Sequence, residues 1–169
     1  MKEERAAIVS AHTEKVGDQK KLSVITAGIM KVPENFGHKQ IMDFSNYSHF
    51  LPFIAESSFD QTTQNAFVHG AFLGTHVRMT LHIQSSETIL GHQLNWESVA
   101  GGLIGMKGSI DENKIDFEHT EISMVSSYLG DSIPVPTFIL NWGLEFAGQK
   151  VVNAMRTHIE EEYEKSKKH

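Results

Sequence analysis

No cysteine occurs anywhere in the 169 residues, so disulfides, thiolate metal sites and thiol nucleophiles are excluded and the redox compartment stays open. Long apolar runs are missing as well: no segment reaches the roughly twenty apolar residues that a membrane-spanning helix needs. Positive charge is in deficit, with 15 Lys and Arg against 21 Asp and Glu, a net charge of −6 and a pI near 5.9. That balance argues against a phosphate-binding surface over the whole protein, so no nucleic-acid partner is expected. The opening MKEERAAIVSAHTEKV lacks the apolar core of a secretory leader. A cytoplasmic location is the default expectation, with a periplasmic or exported one if a leader has been removed.

Catalytic signatures are scarce too. There is no GxSxG around Ser98, Ser109 or Ser123, and Gly101-Gly102 is followed by neither GxGxxG nor a P-loop lysine. Ten histidines are present, yet none falls in HExxH or a similar ligand spacing, so the expectation is no metal and no cofactor. The acidic run Glu160-Glu161-Glu162 and the tail lysines Lys165, Lys167 and Lys168 read as a solvated helix end, the lysines suiting the negative pole of the helix dipole.

What is present is a chain that is 40% hydrophobic, enough for one domain with its own core. Ala6 to Val16, followed by Gly17-Asp18, reads as an extra edge strand closed by a hairpin, in preference to a frayed helix. Leu22 to Val32 is rich in β-branched residues and ends at Pro33, which predicts the first main strand. Between Glu34 and Leu51, apolar residues recur every three to five positions, predicting two short helices with Asp43 and Ser45 as candidate caps. Six strands are then predicted at Phe53–Asp60, Ala66–Leu73, His76–Gln84, Ile89–Trp96, Leu103–Ile110 and Lys114–Val125, with turns at stretches such as Asp111-Glu112-Asn113.

Alternation along these strands sorts the histidines. His76 and His82 fall opposite Val77, Met79, Leu81 and Ile83 and should face solvent. His92 sits with Leu90, Leu94 and Trp96, and His119 with Ile115 and Phe117, so both belong to apolar faces. The recurrent strand glycines are expected at bulges of a strongly bent sheet. From Pro136 to Tyr163 a long helix is predicted, with Leu140, Leu144, Ala147, Val151, Ala154, Met155 and His158 on one stripe and Gly143 beside it. Phe138 and Trp142 fall on the opposite side. Coverage by the loop around Tyr128 and Leu129 or by the N-terminal extension is the favoured account of them, with a membrane or partner patch as the sharper one.

NYSHFLPFIAES after the first strand, Trp96 followed by VAGGLIGMKGSI, and the VPTFILNWGLEFAGQKVVNAMRTHIEE helix resemble the START-like superfamily of polyketide cyclases and lipid-transfer proteins. Within it, the coenzyme-Q-binding, cyclase/dehydrase-type branch is the most similar in look. The resemblance spans about residues 22–165 and its motifs are mainly structural. It implies an α+β helix-grip fold, a seven-stranded curved antiparallel sheet wrapped around a long C-terminal helix, with two short helices after the first strand and a hydrophobic tunnel. The expected organisation is an N-terminal extension over 1–20, a ligand-binding domain over 21–165 and a basic tail over 166–169.

The function expected from this reading is binding or transport of a hydrophobic small molecule, a lipid, a quinone or a polyketide-like ring. A cyclase or dehydratase using the same cavity and a protein-interaction module are the alternatives. Trp96, Met106, Phe117, Trp142 and Phe146 are candidate walls or mouth, with Gly143 and Ala147 leaving room on the helix. His92 and His119 are candidate polar handles or bases, against the ordinary reading of core histidines bonded to a neighbour.

Overall fold

Eight segments in which apolar and polar residues alternate pair into one antiparallel sheet: β1 (Ile8–Val16), β2 (Gln19–Met30), β3 (Ile54–Asp60), β4 (Asn65–Phe72), β5 (Thr75–Glu87), β6 (Gly91–Gly101), β7 (Lys107–Lys114) and β8 (Thr120–Gly130). The structure, a computed structural model, describes residues 7–169 apart from the side chain of Asn141. Ala6, the first residue of the predicted edge strand, lies outside them. The strand order is β1-β2-β8-β7-β6-β5-β4-β3. The sheet therefore has eight strands rather than seven, because the N-terminal segment pairs in full with β2.

All helices lie on one face. The register pairs Ile83 with Trp96, Leu94 with Ile110, and Ile110 with Met124, and these positions look inward. Bulges bend the sheet at Ile54/Glu56 and at Thr80/Leu81. At the second, Gly101 takes φ +89° with its Cα so near β5 that an added Cβ would lie 2.1 Å from the carbonyl oxygen of Arg78. Only glycine permits that approach without backbone movement.

After β2, Pro33 precedes α1 (Glu34–Ile41), and a 3₁₀ turn over Phe44–Asn46 leads into α2 (Tyr47–Phe50). Asp43 does stand before the 3₁₀ turn, but its side chain makes no cap. The Ser57 hydroxyl of β3 substitutes for local caps, accepting from the Ser48 amide at 2.9 Å and donating to the Ser45 carbonyl at 3.4 Å. The long helix opens with a wide π-turn over Ile139–Gly143 and continues as α3 (Leu144–Ser166). Glu145 accepts from the Ala11 amide of β1, and Glu160 from the Lys31 amide after β2, fixing both halves of α3 to the same side of the sheet.

Burial is concentrated at one end. Met30, Val32, Ile41, Phe44, Ala66, Ile83, Leu94 and Ile159 form the core, with Phe36, Tyr47 and Tyr163 packed against it. Helices α1 and α2 close this end of the concave face, and the ring of Phe50 stacks on His158 at 3.8 Å. α3 makes its close approaches to β1, β2, α1 and α2 rather than to the central strands β5 to β7.

Candidate functional site

Where α1 crosses the concave face, two of its side chains meet two from the sheet. Glu34 and His38 are four residues apart, so one face of the helix carries both. His92 and Glu112 are direct cross-strand partners on β6 and β7 and share the inward face. Laid together, the four interlock: His38 Nδ1 lies 2.5 Å from Glu112 Oε2, and His92 Nδ1 lies 2.5 Å from Glu34 Oε1. The two imidazoles stack with centroids 3.8 Å apart and planes 9° from parallel.

Gly91 makes this closeness possible. A Cβ there would fall 2.0 Å from the Glu112 carbonyl oxygen and 3.0 Å from Glu34 Cγ, so any side chain would force the β6 and β7 backbones apart and crowd Glu34.

Electrostatically the cluster is under tension. Glu112 is fully buried, and burial, followed by repulsion from Glu34, pushes its carboxyl up to about 8. His38 is driven the other way, mainly by burial and then by His92, with Glu34 opposing. Both shifts favour the neutral pair, a carboxylic acid bonded to an uncharged imidazole. Tyr47 lies beside them, its hydroxyl donating to the Ile41 carbonyl, and burial with the nearby Glu112 raises its pKa. The second Glu112 oxygen, Oε1, has no hydrogen-bond partner among the described residues. On the outer side, the exposed Ser85 hydroxyl stands 3.4 Å from His38 Nε2. Two imidazole–carboxylate pairs of this kind can move protons, and the same four groups can ligate a cation.

Of the residues expected from sequence, His92 and Trp96 do share the inward face of β6, with Trp96 packed against the core. Met106 is half-buried in the turn before β7, where its carbonyl accepts from the Ser98 amide. Phe117 and His119 are not on an inward strand. They sit in the turn between β7 and β8, Phe117 83% exposed and His119 paired with Asp116 at 2.8 Å. The strand expected from Lys114 starts only at Thr120, because Asp116 turns the chain by accepting from the Glu118 amide. Gly143 is buried against the ring of Phe72, Ala147 is half-buried, and Phe146 is exposed.

Phe138, Trp142 and Phe146 are 46%, 54% and 47% exposed, so each keeps about half of its surface uncovered. Trp142 meets Phe146 edge-on at 6.2 Å, and Phe146 reaches Phe72 at 6.4 Å. His76 is exposed and His82 lies on the outer face, bonded to Asn65. A depression of about 410 Å³ on that outer face is lined by His82, Gln84, Asn95, Glu97, Lys107 and Ser127, away from the histidine–glutamate cluster.

The sequence expectation missed Glu34, His38 and Glu112. Asp111-Glu112-Asn113 has turn composition, yet it lies within β7, and the alternation that places Leu94 and His92 inward does the same for Glu112 through the register. The i,i+4 pair Glu34 and His38 just after Pro33 was the available signal.

No family model and no curated protein matches the chain. Solved structures do. A STAR-related lipid transfer protein from Xanthomonas axonopodis is 12% identical, with a TM-score of 0.68 over 89% of this chain and 98% of that one. A START superfamily protein from Mycobacterium smegmatis is 10% identical, with a TM-score of 0.61 over 85% and 97%. The Zhui aromatase/cyclase from Streptomyces sp. R1128 is 12% identical, with a TM-score of 0.58 over 83% of this chain and 94% of that one. The eight-stranded sheet, the two short helices and the long terminal helix are therefore the START-like helix-grip fold.

Proposed function

We propose that the protein binds a hydrophobic small molecule, of lipid, quinone or polyketide-like character, between α3 and the concave face of the sheet. The observation that carries this reading is where burial stops. Val24, Val68, Met79 and Met124 lie on the inward face of the sheet, and Leu144, Ala147, Val151 and Ala154 share one stripe of α3. All are only half-buried, although the sheet residues lie on the face that carries the helices. Apolar surface held open between a helix and a sheet is the usual character of a lipophilic site. The exposed Phe138, Trp142 and Phe146 mark the mouth at the start of α3, where aromatic rings suit a membrane or micelle surface. A fold neighbour whose name includes lipid transfer agrees with this class of ligand.

Solvent extraction of the purified protein followed by mass spectrometry tests the proposal, together with titration by an apolar fluorophore. One equivalent of a lipophilic compound, or saturable binding that raises Tm with concentration, is expected. An empty protein that also fails to bind the fluorophore would sink it.

A second reading is an enzyme of cyclase or dehydratase type. The observation favouring it is that both imidazole–carboxylate pairs open from the same concave side. Turnover lost in His92→Gln with affinity retained would select it over a passive carrier.

A further inference from the structure

The four residues at the α1 end of the concave face have a donor set that neither ligand binding nor proton transfer requires in full. We propose that Glu34, His38, His92 and Glu112 bind one divalent first-row transition ion of the zinc, iron, manganese or cobalt kind. The ligand atoms of His38, His92 and Glu112 already lie within 4.8 Å of one another, and Glu34 touches His92. Bonds of about 2.0–2.2 Å from nitrogen and carboxylate oxygen to a common ion put tetrahedral donors about 3.3 Å apart, a set these side chains reach by small shifts.

The fully buried Glu112 supplies the second, independent observation. Its Oε1 has no partner among the described residues, an omission that buried carboxylate oxygens rarely tolerate. A cation between the pairs would satisfy that oxygen. It would also balance the charge, since two ionised carboxylates and a dication sum to zero.

Donor chemistry narrows the ion. Two imidazoles and two carboxylates without sulfur suit borderline divalent metals, and disfavour copper(I). Imidazole also makes the set a poor match for calcium or magnesium, which take oxygen ligands. Access is available from the Ser85 side, where the His38 and His92 side chains keep 17% and 16% of their surface exposed. Loading has a structural cost. Each 2.5 Å hydrogen bond must lengthen by somewhat under 1 Å to a metal-spanning distance of about 3.3 Å. The stacked rings must also tilt, because a ligated ion lies close to the plane of its imidazole.

This site stands independently of whatever occupies the space along α3. The test uses the full chain stripped with a chelator and titrated with zinc, with stoichiometry read by calorimetry and elemental analysis. One equivalent is expected in the wild type, and cobalt in its place should give visible ligand-field bands. His92→Gln and Glu112→Gln should weaken binding beyond the roughly 10- to 100-fold that loss of an outer partner causes. His82→Gln with His119→Gln, both outside the cluster, should leave it unchanged. Should the cluster variants fail to fold, the wild-type imidazole NMR signals give the answer without them: zinc should move two of the ten histidine rings. Binding no tighter in the wild type than in a folded His38→Gln/His92→Gln protein overturns the site, as does zinc that shifts other rings and leaves these two in place.

Discussion

His92 and Glu112 are cross-strand partners on the concave face, yet each bonds to the other strand's neighbour on the helix, His92 to Glu34 and Glu112 to His38. This crossed pairing ties α1 to β6 and β7 through four side chains. It also makes the carboxyl of Glu112 the group whose protonation should most affect stability.

In the metal-free protein, stability should fall as pH rises from about 6.5 to about 8. Burial holds Glu112 protonated up to about 8 in the folded chain, with Glu34, His38, His92 and Tyr47 around it, whereas the unfolded chain ionises it near 4.5. A raised folded pKa gives stability that is complete at low pH and lost through that upper value. His38, shifted downward, works in the opposite sense, but only below its ordinary value of 6.5. Glu112→Gln should therefore flatten the decline of Tm above pH 6.5 in the presence of chelator. An unchanged slope in the folded variant would show that another group carries it.

Gly91→Ala should destabilise the fold by roughly 1–3 kcal/mol, the usual range for forcing an extra methyl into a packed site. Its Cβ would strike the Glu112 carbonyl and crowd Glu34 Cγ, so the β6 and β7 backbones must shift apart. Urea denaturation measures the loss. An Ala variant as stable as the wild type would mean that β6 and β7 shift here without penalty.

The sheet and long helix are legible because alternation and 3.6-residue periodicity report burial directly, as in His76 to Ile83 and Leu140 to His158. The edge strand Ile8–Val16 was legible through Gly17-Asp18 at its hairpin, but its membership of the main sheet depends on pairing with β2. The cluster was only partly legible. His92 could be turned inward by parity, whereas Glu112 sits in a polar run whose composition imitates a turn and whose side chain finds its partner in His38, seventy-four residues away. His119 erred in the reverse direction: a run of apolar neighbours suggested a strand where Asp116 closes a turn.

On the helix, Gly143 and Ala147 should respond in opposite ways to added bulk. Gly143→Leu meets the Phe72 ring, 3.1 Å from the first added carbon, and should cost stability. Ala147→Phe projects into the half-open space and should leave Tm within a few degrees while weakening fluorophore binding about tenfold or more, which corresponds to about 1.4 kcal/mol. Equal affinity in a folded Ala147→Phe protein would remove this face of α3 from the proposed ligand site.

Phe138→Ser with Trp142→Ser addresses the aromatic mouth. Each ring is close to half exposed, so their loss should change stability by little more than the roughly 0.5 kcal/mol typical of surface positions. Phe146 stays in place with Lys150 over its ring at 5.6 Å and Phe72 behind it, which preserves the packing beneath. If the patch touches membranes to exchange ligand, flotation with phosphatidylcholine vesicles should drop in the double variant, and transfer of a fluorescent lipid between vesicles should slow with it. Basic residues are few here, so added anionic lipid should alter the wild-type result only modestly. Unfolding of the double variant with vesicle association unaltered would instead place both rings in the core of the α3 start.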